Sequence, residues 1–334
     1  MQNLELKSFL EQHEREHQLP HQLAALLLDI AHACKQVARE VAYGSLKGNM
    51  GNADSENSQG EQQKTLDVLS NDIFLQHFQH HAAIAGLASE EMEHALVTGQ
   101  ENAPYLLLFD PLDGSSNVNL NLSVGSIFSV LPAVLGRAAQ AEDFLQPGTR
   151  QQLAAYALYG TSTMLVFTLG FGVYGFTLNP ESGEFLLTHA NMRIAADTSE
   201  FAINMSNQRY WQPPVQRYIK DCLAGSTGPR GKDFNMRWVA TMVAEVHRLL
   251  VRGGVFLYPL DSRSVGKGGR LRLLYEGNPM SWLVEQAGGQ GSTGHRRILE
   301  VEPTSLHQRV AVVLGASSEV GLVREYYSFT DPTA

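Results

Sequence analysis

The chain has 334 residues, 43% hydrophobic and 18% charged, with 25 Lys and Arg against 34 Asp and Glu for a formal net charge of −9. That length can bury a large core and predicts two domains, while the acidic balance argues against nucleic acid or an anionic membrane as the main partner. Cys34 and Cys222 are too few for a disulfide scaffold and read as buried thiols. Met1 to Lys7 shows no basic region followed by an apolar one, and no run approaches a membrane span, which predicts a cytoplasmic protein.

In chain order, Leu23, Leu26, Leu27, Ile30, Cys34, Val37 and Val41 recur at three and four residues, so 20–43 should form a helix with Pro20 at its start and Gly44 at its end. Gly44 to Gln63 is polar and rich in Gly, Asn and Ser, and reads as a mobile loop. Leu66, Leu69, Ile73 and Phe78 mark a second helical face that begins beside Asp67, and Ser89-Glu90-Glu91 follows it. Tyr105 to Phe109 is a continuous apolar run, the pattern of a strand buried on both faces. It leads into Asp110-Pro111-Leu112-Asp113-Gly114-Ser115-Ser116-Asn117.

Strands are expected at 127–135, 154–158, 164–170 and 173–178, then a turn at 179–183 returning into 184–188. The first domain should therefore be sheet-rich with two covering helices. The chain turns small and polar near 195–200, which divides it into 1–197 and 198–334. Beyond, Met236, Val239, Val243, Val246 and Leu250 predict a helix ending at Gly253-Gly254, and the apolar run 271–275 predicts a strand closed by Glu276 before Asn278-Pro279 opens another helix.

The chemistry concentrates after Phe109. Pro111 holds Asp110 extended, Gly114 lets backbone amides approach an anion, and Ser115 and Ser116 add hydroxyl donors for phosphoryl oxygens. Carboxylates alone would repel phosphate, so a hard cation must lie between them. An EF-hand fails on spacing, since counting from Asp110 puts Leu112, Gly114 and Asn121 at positions that need oxygen ligands. An aspartyl-phosphate site would separate its acids by one residue, whereas Asp110 and Asp113 are separated by two. A plain Asp-Pro, Asp-Gly turn without chemistry remains open on this segment alone. The twelve histidines are scattered, with His77, His80 and His81 on a polar helix surface, and Gly266-Lys267-Gly268-Gly269 lacks the full phosphate-loop pattern and reads as a flexible surface hairpin.

The chain resembles class I fructose-1,6-bisphosphatase, of the lithium-sensitive sugar-phosphatase superfamily, over nearly its whole length. The resemblance rests on 66–72 (Leu-Asp-Val-Leu-Ser-Asn-Asp), Ser89-Glu90-Glu91, Phe109 to Asn117, Ser123-Val124-Gly125, 156–160 (Tyr-Ala-Leu-Tyr-Gly), Leu271 to Glu276, Asn278-Pro279-Met280 and His307-Gln308-Arg309, in the family's order. It implies an α/β fold, a layered α-β-α-β-α sandwich with mixed sheets, and metal-assisted hydrolysis of the 1-phosphate of fructose 1,6-bisphosphate with two or three magnesium ions, manganese being the alternative. It assigns Glu90, Glu91, Asp110, Asp113, Glu276 and the Leu112 carbonyl as metal ligands, with Glu91 and Asp67 activating water. Asp113, Gly114, Ser115 and Ser116 would hold the transferred phosphoryl group; Asn204, Arg237, Tyr258, Arg270 and Arg272 would hold the sugar and distal phosphate, Arg237 from a neighbouring subunit of a homotetramer. The segment 44–63 would close over the site.

Asn207 and Trp238 stand where the family commonly has tyrosines, and Arg270 where it has lysine, so sedoheptulose 1,7-bisphosphate is an alternative substrate. An inositol-phosphate-type phosphatase and a sugar-phosphate-binding regulator without catalysis are further readings; the retained acids speak against the last. Family members that bind AMP hold its phosphate with a Gly-Thr-Gly-Glu-Met-Thr type segment, where this chain has Gln18-Leu19-Pro20-His21-Gln22-Leu23. Weak or absent AMP inhibition is expected.

Overall fold

The computed structural model describes residues 4–49, 51–56 and 62–328. Its N-terminal half begins with α1 (Leu6–His17) and α2 (His21–Tyr43), joined at Gln18, whose φ of 54° turns the chain back on itself. Pro20 precedes the first turn of α2 and Gly44, at φ 46°, ends it, as the periodicity predicts. Three helices of this half rather than two cover one face of its sheet. The extra one is α1, whose Leu6, Phe9, Leu10 and His13 are buried at helical spacing.

The segment read as a loop is partly ordered. Gly44–Lys47 makes one tight turn, and β1 (Asn52–Glu56) pairs antiparallel with β2 (Gln62–Lys64). Residues 50 and 57–61 lie outside the described residues. Backbone pairing needs no apolar side chains, which is why composition did not announce it.

Then come α3 (Thr65–Phe78), β3 (Ile84–Ser89), β4 (Leu96–Val97), β5 (Tyr105–Asp113), β6 (Val124–Pro132), β7 (Leu153–Tyr159), β8 (Thr163–Thr168), β9 (Val173–Leu178) and β10 (Phe185–His189). These strands form one eight-stranded sheet in the order β10-β9-β8-β7-β6-β5-β3-β4. Its pairs are antiparallel except β3 with β5, which run parallel with Ser89 opposite Phe109. β5 is buried over its whole length and runs on through Asp113, past the end predicted at Phe109.

The C-terminal half contains β11 (Glu200–Ala202), α4 (Pro213–Leu223), β12 (Asn235–Met236), α5 (Met242–Arg252), β13 (Val255–Tyr258), β14 (Leu271–Arg272), α6 (Asn278–Gln286), β15 (Gln290–Ser292), β16 (Arg309–Val310), β17 (Val312–Gly315) and α7 (Ser317–Ser328). Five strands make a mixed sheet in the order β12-β11-β13-β17-β15, and β14 pairs with β16. Two predicted elements are corrected. The helix expected from Met236 starts at Met242, because Met236 pairs with Phe201 in the sheet and Ala240, at φ 63°, breaks the run. The strand expected over 271–275 stops at Arg272, and Leu273–Gly277 winds into a π-turn instead. Nor is the Gly266–Gly269 run a hairpin: it leads into β14, whose partner is remote in sequence, and a Cβ on Gly269 would lie 2.2 Å from the Val310 carbonyl carbon.

The apolar clusters give the layering. Phe9, Leu27, Leu66 and Phe74 from α1, α2 and α3 pack on Phe109, Phe128 and Phe167 from one face of the large sheet. The opposite face, with Ile127, Tyr156 and Val166, meets Val246 of α5 and Met280 and Leu283 of α6, which also cover Phe256, Val312 and Leu314 of the second sheet. That sheet's far face packs on Val215 and Ile219 of α4 and Val320 and Val323 of α7. The result is an α-β-α-β-α sandwich with mixed sheets, as expected. Cys34 and Cys222 are free and buried. Among the described residues no helix is long and apolar enough to cross a membrane.

Candidate metal and phosphate site

Parallel pairing of β3 and β5 explains how acids twenty positions apart in sequence meet. With Ser89 opposite Phe109, β3 ends where β5 runs on into Asp110, and the Glu90 N–H still donates to the Phe109 carbonyl at 3.0 Å. Glu90 and Glu91 therefore stand beside Asp110. Asp67 enters from the first turn of α3, where its carboxylate accepts the Lys64 N–H at 2.7 Å, a capping geometry that favours an acid at a helix N-terminus. Glu276 arrives from the π-turn and accepts the Arg272 N–H at 2.6 Å. Asp67, Glu90, Glu91, Asp110, Leu112, Asp113, Gly114, Ser115 and Glu276 line one cavity of about 190 Å³. Oxygens of Asp110, Asp113 and Glu276 lie within 4.8 Å of one another, so this buried triad could hold a metal ion.

Electrostatics sets these acids apart from surface carboxylates. Burial, then the charges of Glu90, Asp113 and Glu276, pushes the Asp110 carboxyl well above its usual range. Burial and Glu90 do the same to Glu276, against the opposing pull of Arg272. Burial raises Glu90, opposed by the Arg272 guanidinium, and raises Asp113, opposed by hydrogen bonds from Thr241, Val243 and Met242. Asp67 is pushed up to about 7 by burial, opposed by the Lys64 N–H and reinforced by the Glu91 charge. The Asp67 Oδ1 and Glu90 Oε2 atoms are buried without a hydrogen-bond partner. Buried oxygens of this kind need either protons or cations. The donor set, carboxylates with a backbone carbonyl, is that of a hard divalent ion.

Two residues of the site carried no sequence signal. Gln63, in the segment read as a loop, donates to Glu91 Oε2 at 2.6 Å and lines the cavity. Thr241, the N-cap residue of α5, donates its hydroxyl to Asp113 Oδ2, which also accepts the Val243 N–H at 2.7 Å. A metal-ligand candidate in one half is thus held by a helix N-terminus in the other. Gly114, at φ 79°, is required for this approach, because a Cβ there would lie 2.6 Å from Thr241 Cβ. Ser116 is exposed and does not line the cavity.

The remaining predicted residues divide. Asn204 and Tyr258 line a second crease together with Asn207, Trp238 and Asp261. Arg270 reaches that crease through Asp261, 3.6 Å from its Nη2, with its Nε buried and unpartnered. Arg272 is buried against the first cavity, its Nη1 2.5 Å from Glu90 Oε1. Arg237 is not brought to either one: it follows edge strand β12 and pairs with Glu200 at 3.1 Å. His77 and His81 lie on the α2–α3 side, His81 bonded to Asp29 at 2.9 Å, away from the acidic cavity.

Comparison with known proteins agrees with the geometry. The family model for the fructose-1-6-bisphosphatase N-terminal domain matches residues 6–190, and that for the C-terminal domain matches residues 194–328. The chain is 68% identical over 331 residues to the class 1 fructose-1,6-bisphosphatase of Methylobacillus flagellatus, covering 99% of this chain and all of the relative. It is 55% identical to that of Hydrogenophilus thermoluteolus over 97% of this chain and 91% of the relative. The crystal structure of Leishmania major fructose-1,6-bisphosphatase in holo form superposes with a TM-score of 0.90 at 35% identity, covering 98% of this chain and 100% of the other. With both domain models matched in order and the Methylobacillus relative spanned from end to end, the chain belongs to the class 1 fructose-1,6-bisphosphatase family.

Proposed function

We propose that this protein hydrolyses the 1-phosphate of D-fructose 1,6-bisphosphate, giving fructose 6-phosphate and inorganic phosphate, in the acidic cavity described above. The observation that carries the reading is the convergence of Asp67, Glu90, Glu91, Asp110, Asp113 and Glu276 on a cavity whose rim is Gly114 and Ser115, in a chain of this family. Glu90, Glu91, Asp110, Asp113, Glu276 and the Leu112 carbonyl would hold two or three magnesium ions. Bound there, divalent ions neutralise the cluster and supply Lewis-acid stabilisation of phosphoryl charge.

The chain's own groups do the rest. Glu91, oriented by Gln63, and Asp67, held at the first turn of α3 by the Lys64 N–H, would take the proton of the attacking water. Gly114 and Ser115 would present an amide and a hydroxyl to the transferred phosphoryl group, while Ser116 lies outside the cavity lining. Asn204, Tyr258 and Arg270 would receive the sugar and distal phosphate in the second crease, where the guanidinium fork of Arg270 suits phosphate. Arg272 compensates Glu90 from behind, and Arg237, exposed at a sheet edge, would serve a neighbouring subunit of a homotetramer. On this reading residues 1–197 supply all the metal ligands but Glu276, residues 198–334 add Glu276 and carry the distal phosphate, and the enzyme works in the cytoplasm. Phosphate release from fructose 1,6-bisphosphate, sedoheptulose 1,7-bisphosphate and inositol 1-phosphate, each with magnesium and with chelator, tests it: the first should be the preferred substrate and should require the metal.

A further inference from the structure

Between Asp110 and Asp113, β5 carries one residue more than the strand opposite, since Asp110 faces Ile127 while Asp113 faces Gly125. The bulge contains the Pro111–Leu112 peptide, and both ends of that peptide are pinned. Its carbonyl accepts from the Ser126 hydroxyl at 2.8 Å, and its N–H donates to Asp110 Oδ1 at 3.0 Å. Because a peptide unit is planar, whatever fixes the carbonyl fixes the N–H that orients the Asp110 carboxylate.

Ser126 is fully buried on β6, and its oxygen lies 2.9 Å from the hydroxyl of Tyr159 at the end of β7. The proton directions follow from chemistry. A carbonyl only accepts, so the single O–H of Ser126 is committed to Pro111, and Tyr159 must be the donor to Ser126. The polarity therefore runs one way, from Tyr159 on β7 through Ser126 on β6 to the bulge.

Resting on the reading of the acidic cavity as a divalent-metal site, we propose that Tyr159 and Ser126 are positioning residues for that site. They hold the Pro111–Leu112 peptide plane, and so the direction of the Asp110 carboxylate that its N–H orients. Buried hydroxyls would also be hydrogen-bonded if they served packing alone, so the discriminating quantity is metal affinity rather than stability.

The experiment is calorimetric titration of the wild-type protein, Ser126→Ala and Tyr159→Phe with Mn2+, a probe that takes the same oxygen ligands. The magnesium concentration for half-maximal activity is measured alongside. Losing the hydroxyl of Ser126 should weaken Mn2+ binding about tenfold or more, in line with lost support behind a metal ligand. Tyr159→Phe, which keeps the ring and its packing, should weaken it by a smaller factor, roughly threefold. Should Ser126→Ala fail to fold, Tyr159→Phe alone decides. Variants that melt at lower temperature yet bind Mn2+ as tightly as wild type would overturn the proposal and leave the two hydroxyls a packing role. A wild-type protein that binds no Mn2+ would instead sink the metal-site reading, and this proposal with it.

Discussion

Asp113 and Thr241, 128 residues apart, share a hydrogen bond that ties a candidate metal ligand in the large sheet to the N-terminus of α5 in the second half of the chain. The contact makes the site a property of the assembled fold. Asp113 is buried and relies on Thr241 and the Val243 N–H to offset its desolvation. Thr241→Val keeps the volume and removes the donor. It should raise the magnesium requirement about tenfold and cost roughly 1–2 kcal/mol of stability, measured by magnesium-dependent turnover and by thermal melting. Unchanged magnesium dependence would detach Thr241 from the site.

Glu91→Gln is nearly isosteric and removes the proposed water-activating carboxylate. Turnover should fall by about a hundredfold or more while the Michaelis constant changes little, since a positioned base acts mainly in the transition state. Steady-state kinetics at saturating magnesium decides this, and near wild-type turnover would remove Glu91 from the mechanism.

The acidic cavity also makes the metal-free protein sensitive to pH. Asp67, Asp110 and Glu276 all titrate higher in the fold than in an unfolded chain, so the folded state binds more protons. Their contribution to stability is fully present below the unfolded value of about 4 and is lost as pH rises through the folded values, about 7 for Asp67. In chelator, the melting temperature should therefore decline between pH 5 and pH 8. Saturating magnesium should flatten that decline, and a metal-free melting temperature that rises over the same range would contradict the electrostatic account.

AMP should inhibit weakly or not at all. At the junction of α1 and α2, Pro20 has no N–H to donate, no side chain caps the helix, and His21 is engaged by Glu14 at 2.9 Å. No lysine supports the site from the residue before Tyr105, which is Pro104. Titration of AMP against activity at saturating magnesium checks this; complete, cooperative inhibition would show that another surface binds the nucleotide.

Much of the fold is readable from local pattern, and its failures share a cause. The run Tyr105 to Phe109 and the face of α2 are long and regular, so period and punctuation located them. Spacing misled where a regular apolar pattern crosses a backbone break: Met236 and Val239 continue the rhythm of α5 but lie beyond Ala240, whose positive φ periodicity does not reveal. The five residues 271–275 suit a strand or a buried turn equally, and Glu276 bonding back to the Arg272 N–H belongs to the turn. Acid-rich motifs exposed the cavity-lining carboxylates because the chemistry demands them. Gln63, Thr241 and Ser126 act through contacts with residues distant in sequence, and no local pattern distinguishes such a polar side chain from an ordinary one.

The central claim is that the acidic cavity transfers the 1-phosphate to water under divalent-metal control. Phosphorus NMR of the purified protein with fructose 1,6-bisphosphate, in isotope-labelled water with magnesium and then with chelator, tests it most directly. The account predicts fructose 6-phosphate and inorganic phosphate carrying the label in the magnesium sample, and intact bisphosphate in chelator. Fructose 1-phosphate as the product, label in the sugar instead of the phosphate, or undiminished hydrolysis in chelator would contradict it.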